Sequence, residues 1–548
     1  MNEITPAGDW QTLRDRHRWK IPARYNMAWD LCEKWAGAEP DRLALVHLGP
    51  GGEVREYSYA RLSRDSNRLA NALAGHGVRR GDRVAVLLGQ APETLLTHLA
   101  AYKLGAIALP LFTLFGEEGL EYRLADSGAR ALVTDAANLP KIAAIRPRLP
   151  ALETVFSIDG PEPGAFGFGA ELDKARDSFA MADTGPEDPA FICYTSGTTG
   201  PPKGALHAHR VLLGHFPGVQ VAYDFFPQPG DRMWTPADWA WMGGLCNIAL
   251  PALRFGVPLV AHRMEKFDPE YAFEFIARME VRNSFLPPTA LKLMRNVARP
   301  ERFGARLRSV GSGGESLGAG VLEWAKGALG LTVNEFYGQT ECNLAVGNCA
   351  SIMAVRPGSM GKPFPGSEVA VIDSAGALLA PGEAGEIAIR RGAAAMFLEY
   401  WKAPDKTAEK FAGDWMRTGD EGVIDDDGYF WFASRSDDVI TSSGYRIGPS
   451  EIENCLTGHP AVAMAACVGL PDPVRTEIVK AYVTLAPGVA GSEALAGELI
   501  AHVRRRLSPH LAPRLLEFIA AMPVTATGKI MRRELRAREL AKGGVGRT

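Results

Sequence analysis

Residues 194–204 read YTSGTTGPPKG, a stretch in which Ser and Thr hydroxyls, glycines and one lysine crowd together. Glycines let backbone N–H groups approach phosphate oxygens, hydroxyls donate further hydrogen bonds, and a lysine adds a mobile cation. The candidate phosphate ligands are Thr195, Ser196, Gly197, Thr198, Thr199, Gly200 and Lys203. A Walker A loop needs Gly-Lys-Ser/Thr with the lysine inside the first turn of a helix. Here Pro202 precedes Lys203 and Gly204 follows it, which removes an N–H and weakens helix initiation. The pattern therefore fits a loop that wraps a polyphosphate without being an NTPase P-loop. A merely flexible Ser/Gly loop is the competing reading. It is disfavoured by the preceding FICY, a plausible buried strand, because ligands gather where strands end in open α/β sheets.

The elements that must hold this loop are legible on both sides of it. RVAVLLG, AIALPLF and RALVTD read as strands, separated by helical patterns in APETLLTHLAAYKLG and EEGLEYRLADSG. After the loop, VPLVAHR, NSFLPP and LTVNEFYG alternate with helical DPEYAFEFIARME and GAGVLEWAKGALG. Such alternation predicts parallel sheets covered by helices. From Ser367 the runs EVAVID, GEIAIR and DDDGYFWFA lie close together between Gly and Asp turns, which predicts a small antiparallel β unit. The acidic run Asp425-Asp426-Asp427-Gly428 reads as a hairpin turn, since Asp-Gly is a turn signal and EF-hand spacing is absent. Beyond Ser434 comes a compact α+β tail whose helix ALAGELIAHVRRRL carries apolar residues on one face. The expected fold class is α/β: a large N-terminal domain of parallel α/β subdomains plus a small β unit, then a small mobile α+β C-terminal domain.

Bulk properties exclude several functions. With 548 residues the chain has room for roughly three or four structural units and a large core. Lys+Arg 60 against Asp+Glu 63 leaves a formal charge of -3, too balanced for a nucleic-acid or anionic-membrane partner. RHRW and RRRL are too short for a nucleic-acid stripe and read as solvated faces. The seven cysteines never fall as CxxC, which favours reduced thiols over a disulfide framework or zinc site. His207 and His209 are two apart, so on a helix they would diverge and imply no metal. No apolar run reaches membrane-spanning length. The polar N-terminus lacks a signal-peptide core, and KGGVGRT matches no targeting signal, so a cytoplasmic protein is expected.

At this point a resemblance becomes plain. YTSGTTGPPKG resembles the signature loop of the acyl-adenylate-forming superfamily: acyl-CoA synthetases, peptide-synthetase adenylation domains and luciferases. The likeness runs from about Asn26 to Leu535, and several separated motifs follow the family's order. It implies an adenylation domain over residues 1–436 and a mobile domain over 437–548, with ATP, Mg²⁺ and CoA as co-substrate. GSGGES (311–316) and NEFYGQTE (334–341) are similar to the family's nucleotide pocket. By that resemblance Gly314, Glu315 and Ser316 line the adenine and Tyr337 stacks on it. Glu335, Phe336 and Gly338 share the pocket, Thr340 bonds the phosphate, and Glu341 holds the metal. A flat aromatic face suits a purine and a lone carboxylate suits a hard cation. Read alone, Tyr337 would be a core aromatic and Glu341 a surface charge.

The stretch WMRTGDEGVIDDDGYFWFASRSDDVITSSGYRIGPSEIE (415–453) extends the likeness. Asp420 matches the ribose-hydroxyl acceptor, and a carboxylate can accept from two vicinal hydroxyls. Arg435 adds a fork of donors near ribose and phosphate, and Asp437 occupies the hinge position. Ser434 stands where the family usually has glycine. In PVTATGKIMRREL, Lys529 would be a solvated lysine on base rate. The resemblance instead makes it the cation that bridges the substrate carboxylate and the α-phosphate. Ser443, Gly444 and Arg446 are similar to positions that meet CoA once the small domain has rotated.

For the acid, Trp241, Met242, Gly243, Gly313 and Gly338 align with acyl-pocket positions. Acetate-specific relatives close the pocket with a tryptophan after the adenine-stacking aromatic, where this chain has Gly338. An open tunnel is therefore expected, and acetate and propionate are disfavoured. SSGYRIGPSEIE and NMAWDLCEKWA look most like medium-chain acyl-CoA synthetases. Trp239, Trp241 and Met242 equally suit a branched or aromatic acid. A P-loop-like NTPase or nucleotide-binding regulator is the alternative of another class, and would release ADP or nothing in place of AMP. Self-association into a homo-oligomer is left open, and Lys529 is a candidate for enzymes that acylate and deacylate lysine.

Overall fold

The computed structural model describes residues 4–542, apart from 196–200, 316, 436–437, 439, 443–444, 473–474, 508–510 and 526–528. The side chains of Arg435, Thr441, Tyr445 and Arg446 also lie outside the described set. The alternation before the loop folds as expected. Strands Arg83–Leu87, Ile107–Pro110 and Ala131–Thr134 pair in parallel, with helices Pro92–Leu104 and Glu117–Ser127 in the crossovers. Helix Pro92–Leu104 opens on Pro92 and ends at Gly105, whose φ of 67° supplies the left-handed cap. It is buried nearly all round, as a helix between layers must be.

Among the described residues these strands belong to an eight-stranded sheet. Beyond Ile107–Pro110 it continues through Pro189–Thr195, Lys203–Ala208 and Glu399–Tyr400. The first two of these are antiparallel, with Thr195 opposite Lys203, so the phosphate loop is the tip of a hairpin. A strand, Lys203–Ala208, follows the loop where a P-loop would be followed by a helix.

The second sheet carries Asn283–Phe285, Ser309–Gly313 and Asn334–Gln339 in parallel register. Strands Val369–Ile372, Gly385–Arg390, Trp415–Ile424 and Phe430–Arg435 are antiparallel, as the sequence predicts. They do not stand apart, however. Ser359–Pro363 pairs with Cys342–Gly347 on one side and Phe430–Arg435 on the other, which makes one continuous 14-stranded sheet. The acidic run is the expected turn: Asp425 Oδ1 accepts from the N–H of Asp427 and Tyr429, and Gly428 has φ 81°.

The chain then enters a third, five-stranded sheet built on Val462–Asp472 and Thr476–Leu485, covered by helices Pro449–Thr457 and Glu493–Arg506. All seven cysteines are free thiols. His207 lies on strand Lys203–Ala208 rather than on a helix, which corrects the premise used for that pair. Its ring stacks on Phe191 at 4.6 Å, while His209 Nδ1 accepts from the Met27 N–H. Among the described residues no group of three or more side chains is arranged to hold a metal, and no helix is long and apolar enough to cross a membrane.

Candidate active site

The carboxyl ends of Pro189–Thr195, Ser309–Gly313 and Asn334–Gln339 bring the motifs to one edge, the usual ligand-binding edge of such sheets. The base of the phosphate loop is fixed from outside. Tyr194 donates to Asp126 Oδ2 at 2.5 Å, and Gly204 O accepts from the Trp401 N–H at 2.7 Å. Thr195 and Lys203 are half-buried at the two ends of the loop. Ser196, Gly197, Thr198, Thr199 and Gly200 lie outside the described residues.

Strands Asn334–Gln339 and Cys342–Gly347 form a hairpin in which Gln339 faces Cys342, leaving Thr340 and Glu341 at its tip. Glu341 is 7% exposed, and its Oε1 accepts from the hydroxyl of Tyr400, itself 2% exposed. At the root of the same strand, Tyr337 donates to Asp420 Oδ2 at 2.6 Å. Gln339 Nε2 donates to the same oxygen at 2.6 Å and to Thr418 O at 2.7 Å. Two residues separated by 83 positions, an aromatic face and a carboxylate, are thus joined as a base-and-sugar platform would require. Asp420 pairs in register with Arg435, and Ser434 sits buried in that strand opposite Glu421.

The adenine segment is anchored by Glu335. Its Oε1 accepts from the Leu317 N–H at 3.1 Å, while Oε2 is buried with no partner among the described residues. Burial lifts this carboxyl to about 7, against the Leu317 N–H and the Lys292 charge, which work in the other direction. Glu315 Oε1 is likewise buried and unpartnered among the described residues, and Glu315 Oε2 receives the Thr289 hydroxyl at 3.4 Å. Gly314, with φ 95°, approaches Trp241, whose ring would stand 3.2 Å from a Cβ there. Ser316 lies outside the described residues.

Lys529 comes into this region from the other end of the chain. It shares a small, narrow cleft with Trp241, Thr289, Gly313, Gly314 and Glu315. Its Cε lies 3.8 Å from the Cβ position of Gly314. Asp437, Ser443 and Gly444 are outside the described residues, as is the Arg446 side chain on strand Tyr445–Ile447.

The space beside each acyl-pocket glycine is taken up by its neighbours. A Cβ at Gly338 would stand 2.5 Å from Leu344 N and 3.0 Å from Asn343 Cα, so close backbone approach demands the glycine. At Gly313 the space is taken by Phe336, whose ring would be 2.8 Å from a Cβ, and at Gly243 by Phe285, also 2.8 Å away. Phe285 stacks on Phe336 at 5.6 Å, and Trp241 lies 5.4 Å from Phe285. Three rings, rather than a missing side chain, therefore bound this space. Met242 is buried beside them and contacts Cys246.

Sequence reasoning passed over Tyr400, Gln339 and Phe285. Tyr400 sits in the apolar run MFLEYW, where it reads as core; its one signal is that a buried phenol needs a partner for its hydroxyl. Gln339 lay inside a motif already singled out, and Phe285 looked like an ordinary strand residue.

Comparison with known proteins agrees with this geometry. The AMP-binding enzyme family matches residues 32–401, and the AMP-binding enzyme C-terminal domain matches 451–529. Acyl-coenzyme A synthetase ACSM3, mitochondrial, of Mus musculus is 34% identical over 545 residues, covering 97% of this chain and 93% of that protein. The anthranilate CoA ligase AuaEII, solved with anthranoyl-AMP, superposes with a TM-score of 0.89 at 31% identity, covering 95% of this chain and 99% of that one. ATP-bound MatB from Rhodopseudomonas palustris gives 0.83 at 29% identity, over 94% and 98% of the two chains. This chain belongs to the AMP-binding, adenylate-forming enzymes, as an ATP-binding, AMP-forming acid–CoA ligase.

Proposed function

We propose that the chain activates a medium-chain fatty acid with ATP and passes the acyl group to coenzyme A. The observation that carries the reading is Lys529 in one cleft with Trp241, Gly313, Gly314 and Glu315. An acid carboxylate oxygen attacks the α-phosphorus of ATP, the bond to pyrophosphate breaks, and acyl-AMP forms. This step brings two anions together, so its barrier is largely electrostatic. Lys529 stands at the junction of acyl and nucleotide space and neutralises the developing charge. Loop hydroxyls and N–H groups with Lys203 hold the phosphates. Tyr337 stacks on the base, and Glu335 Oε2 accepts from the adenine amino group. Asp420 takes the ribose hydroxyls.

The buried Glu341 carboxylate fits a divalent cation, since only its Oε1 is engaged among the described residues. Glu341 would hold Mg²⁺, which when bound would offset the negative charge of the phosphates, and Thr340 bonds the phosphate. In the second half-reaction the CoA sulfur, its proton lost to solvent, attacks the acyl carbon and AMP leaves. Ser443, Gly444 and Arg446 belong to that step. The division at residues 436 and 437 is part of this reading. It is supported by Phe430–Arg435 closing the large sheet while Ile440–Ser442 opens the small one. Lys529 is exposed, so acylation of its amine would delete the charge and act as an off-switch. Intact-mass analysis of protein from several growth conditions, finding no adduct at Lys529, would refute that point.

Medium chain length rests on the likeness of SSGYRIGPSEIE and NMAWDLCEKWA. An aryl acid is the second reading, favoured by the Trp241, Phe285 and Phe336 rings. AMP and pyrophosphate release, measured over straight-chain, branched and benzoate-type acids with and without CoA, decides between them. Octanoate ahead of benzoate supports the first and the reverse order the second. Carboxylate-independent ADP release would point to an NTPase and end the proposal.

A further inference from the structure

Tyr400 has no place in the chemistry so far, yet contacts from both hairpins converge on it. Its hydroxyl donates to Glu341 Oε1. The Lys203 ammonium lies over its ring, 4.7 Å from the centroid. Its backbone belongs to Glu399–Tyr400, the strand that pairs with Lys203–Ala208, with Tyr400 opposite Ala205. Two residues before that strand, Phe397 donates its N–H to Glu341 O at 2.8 Å. The segment 397–401 therefore stitches the phosphate-loop hairpin to the Glu341 hairpin, and the two large sheets to each other.

A buried phenol needs a partner, but a main-chain carbonyl suffices. Tyr59 donates to Leu253 O and Tyr429 to Ala354 O in that way, whereas Tyr25 and Tyr194 donate to the Asp30 and Asp126 carboxylates. Tyr400 donates to a carboxylate at the site, leaving Oε2 without a hydrogen bond among the described residues. Hydrogen bonds from outside fix the orientation of metal-binding carboxylates, and their loss typically weakens metal affinity. A lysine over the same ring favours the electron-rich face and adds to the link.

We propose that Tyr400 is a positioning residue: it holds the Glu341 carboxylate with one oxygen presented to a divalent cation, and it ties that carboxylate to the phosphate-loop lysine. This deepens the proposed function and rests on Glu341 as the metal ligand. The test uses the full chain and Mn²⁺, an EPR-visible substitute for Mg²⁺, titrated in the presence of ATP. Tyr400→Phe keeps the ring and the fold, which circular dichroism checks, and removes only the hydroxyl. It should weaken Mn²⁺ binding by roughly 10–100-fold. It should also raise the Mg²⁺ concentration that half-saturates AMP formation, with a smaller change in kcat at saturating Mg²⁺. Glu341→Gln should lose more, and Tyr400→Phe added to Glu341→Gln should cost nothing further, because the hydroxyl acts through the carboxylate. Wild-type Mn²⁺ affinity in Tyr400→Phe, with affinity lost in Glu341→Gln, overturns the role of Tyr400 and leaves Glu341 standing. Additive losses in the double variant overturn it too. Wild-type affinity in Glu341→Gln removes the metal reading, and the proposal falls with it.

Discussion

At the scale of single residues, Glu335 shows how one buried group serves two opposed demands. In the unfolded chain its carboxyl ionises near the ordinary 4.5, whereas in the fold burial raises it to about 7. Between those values the folded protein keeps a proton that the unfolded chain has lost. Stability therefore falls as pH rises through that window and levels off above it. Glu335→Gln removes the penalty: its unfolding free-energy advantage over wild type, read from urea denaturation, should grow from about pH 5 to about pH 8, reaching roughly 1–3 kcal/mol. Nucleotide binding should move the other way. If the ionised Oε2 accepts from adenine, wild-type KM for ATP rises as pH drops below about 7. The variant should show a weaker, flat profile. Equal pH slopes in both proteins would show that this carboxylate does not meet the base.

At the scale of elements, helix Arg210–Ala222 shows why the site is rigid. Arg210 Nη1 donates to Ala394 O at 2.9 Å and Met396 O at 2.7 Å, just before the strand that bears Tyr400. At Gly214 a Cβ would run into the backbone of Ala394 and Ala395. Gly214→Ala should then destabilise by about 1–3 kcal/mol, read from urea or thermal unfolding, because the obstacle is main chain rather than a movable side chain. The strand and helix alternation of 83–134 and 259–339 was plain in the sequence because short apolar β-rich runs and longer helical stretches are local patterns. The sheet continuity through Ser359–Pro363 was not, since pairing between distant strands leaves no mark on either one's local pattern. Likewise the loop, Tyr337, Asp420 and Lys529 stand out by motif, but the packing around the acyl-pocket glycines does not. Gly338 and Gly313 looked like removed bulk, and only the partners Leu344 and Phe336 show where that bulk went.

At the scale of the whole molecule, the proposed reaction requires Lys529, near the end of the chain, to meet strands laid down some two hundred residues earlier. Lys529→Ala should lower acyl-AMP formation by at least roughly 100-fold while sparing thioester formation from supplied acyl-AMP and CoA. Single-turnover assays of the two halves check this; equal loss in both would remove the assigned role. The 14-stranded sheet carries a practical corollary for anyone recombining such ligases. A crossover placed near residue 366, where the pattern of the chain changes, would sever the seam between Ser359–Pro363 and Phe430–Arg435 and bare a sticky hydrogen-bonding rim. A crossover just past Arg435 spares every rung of that ladder, so hybrids spliced there should stay in solution where the others precipitate.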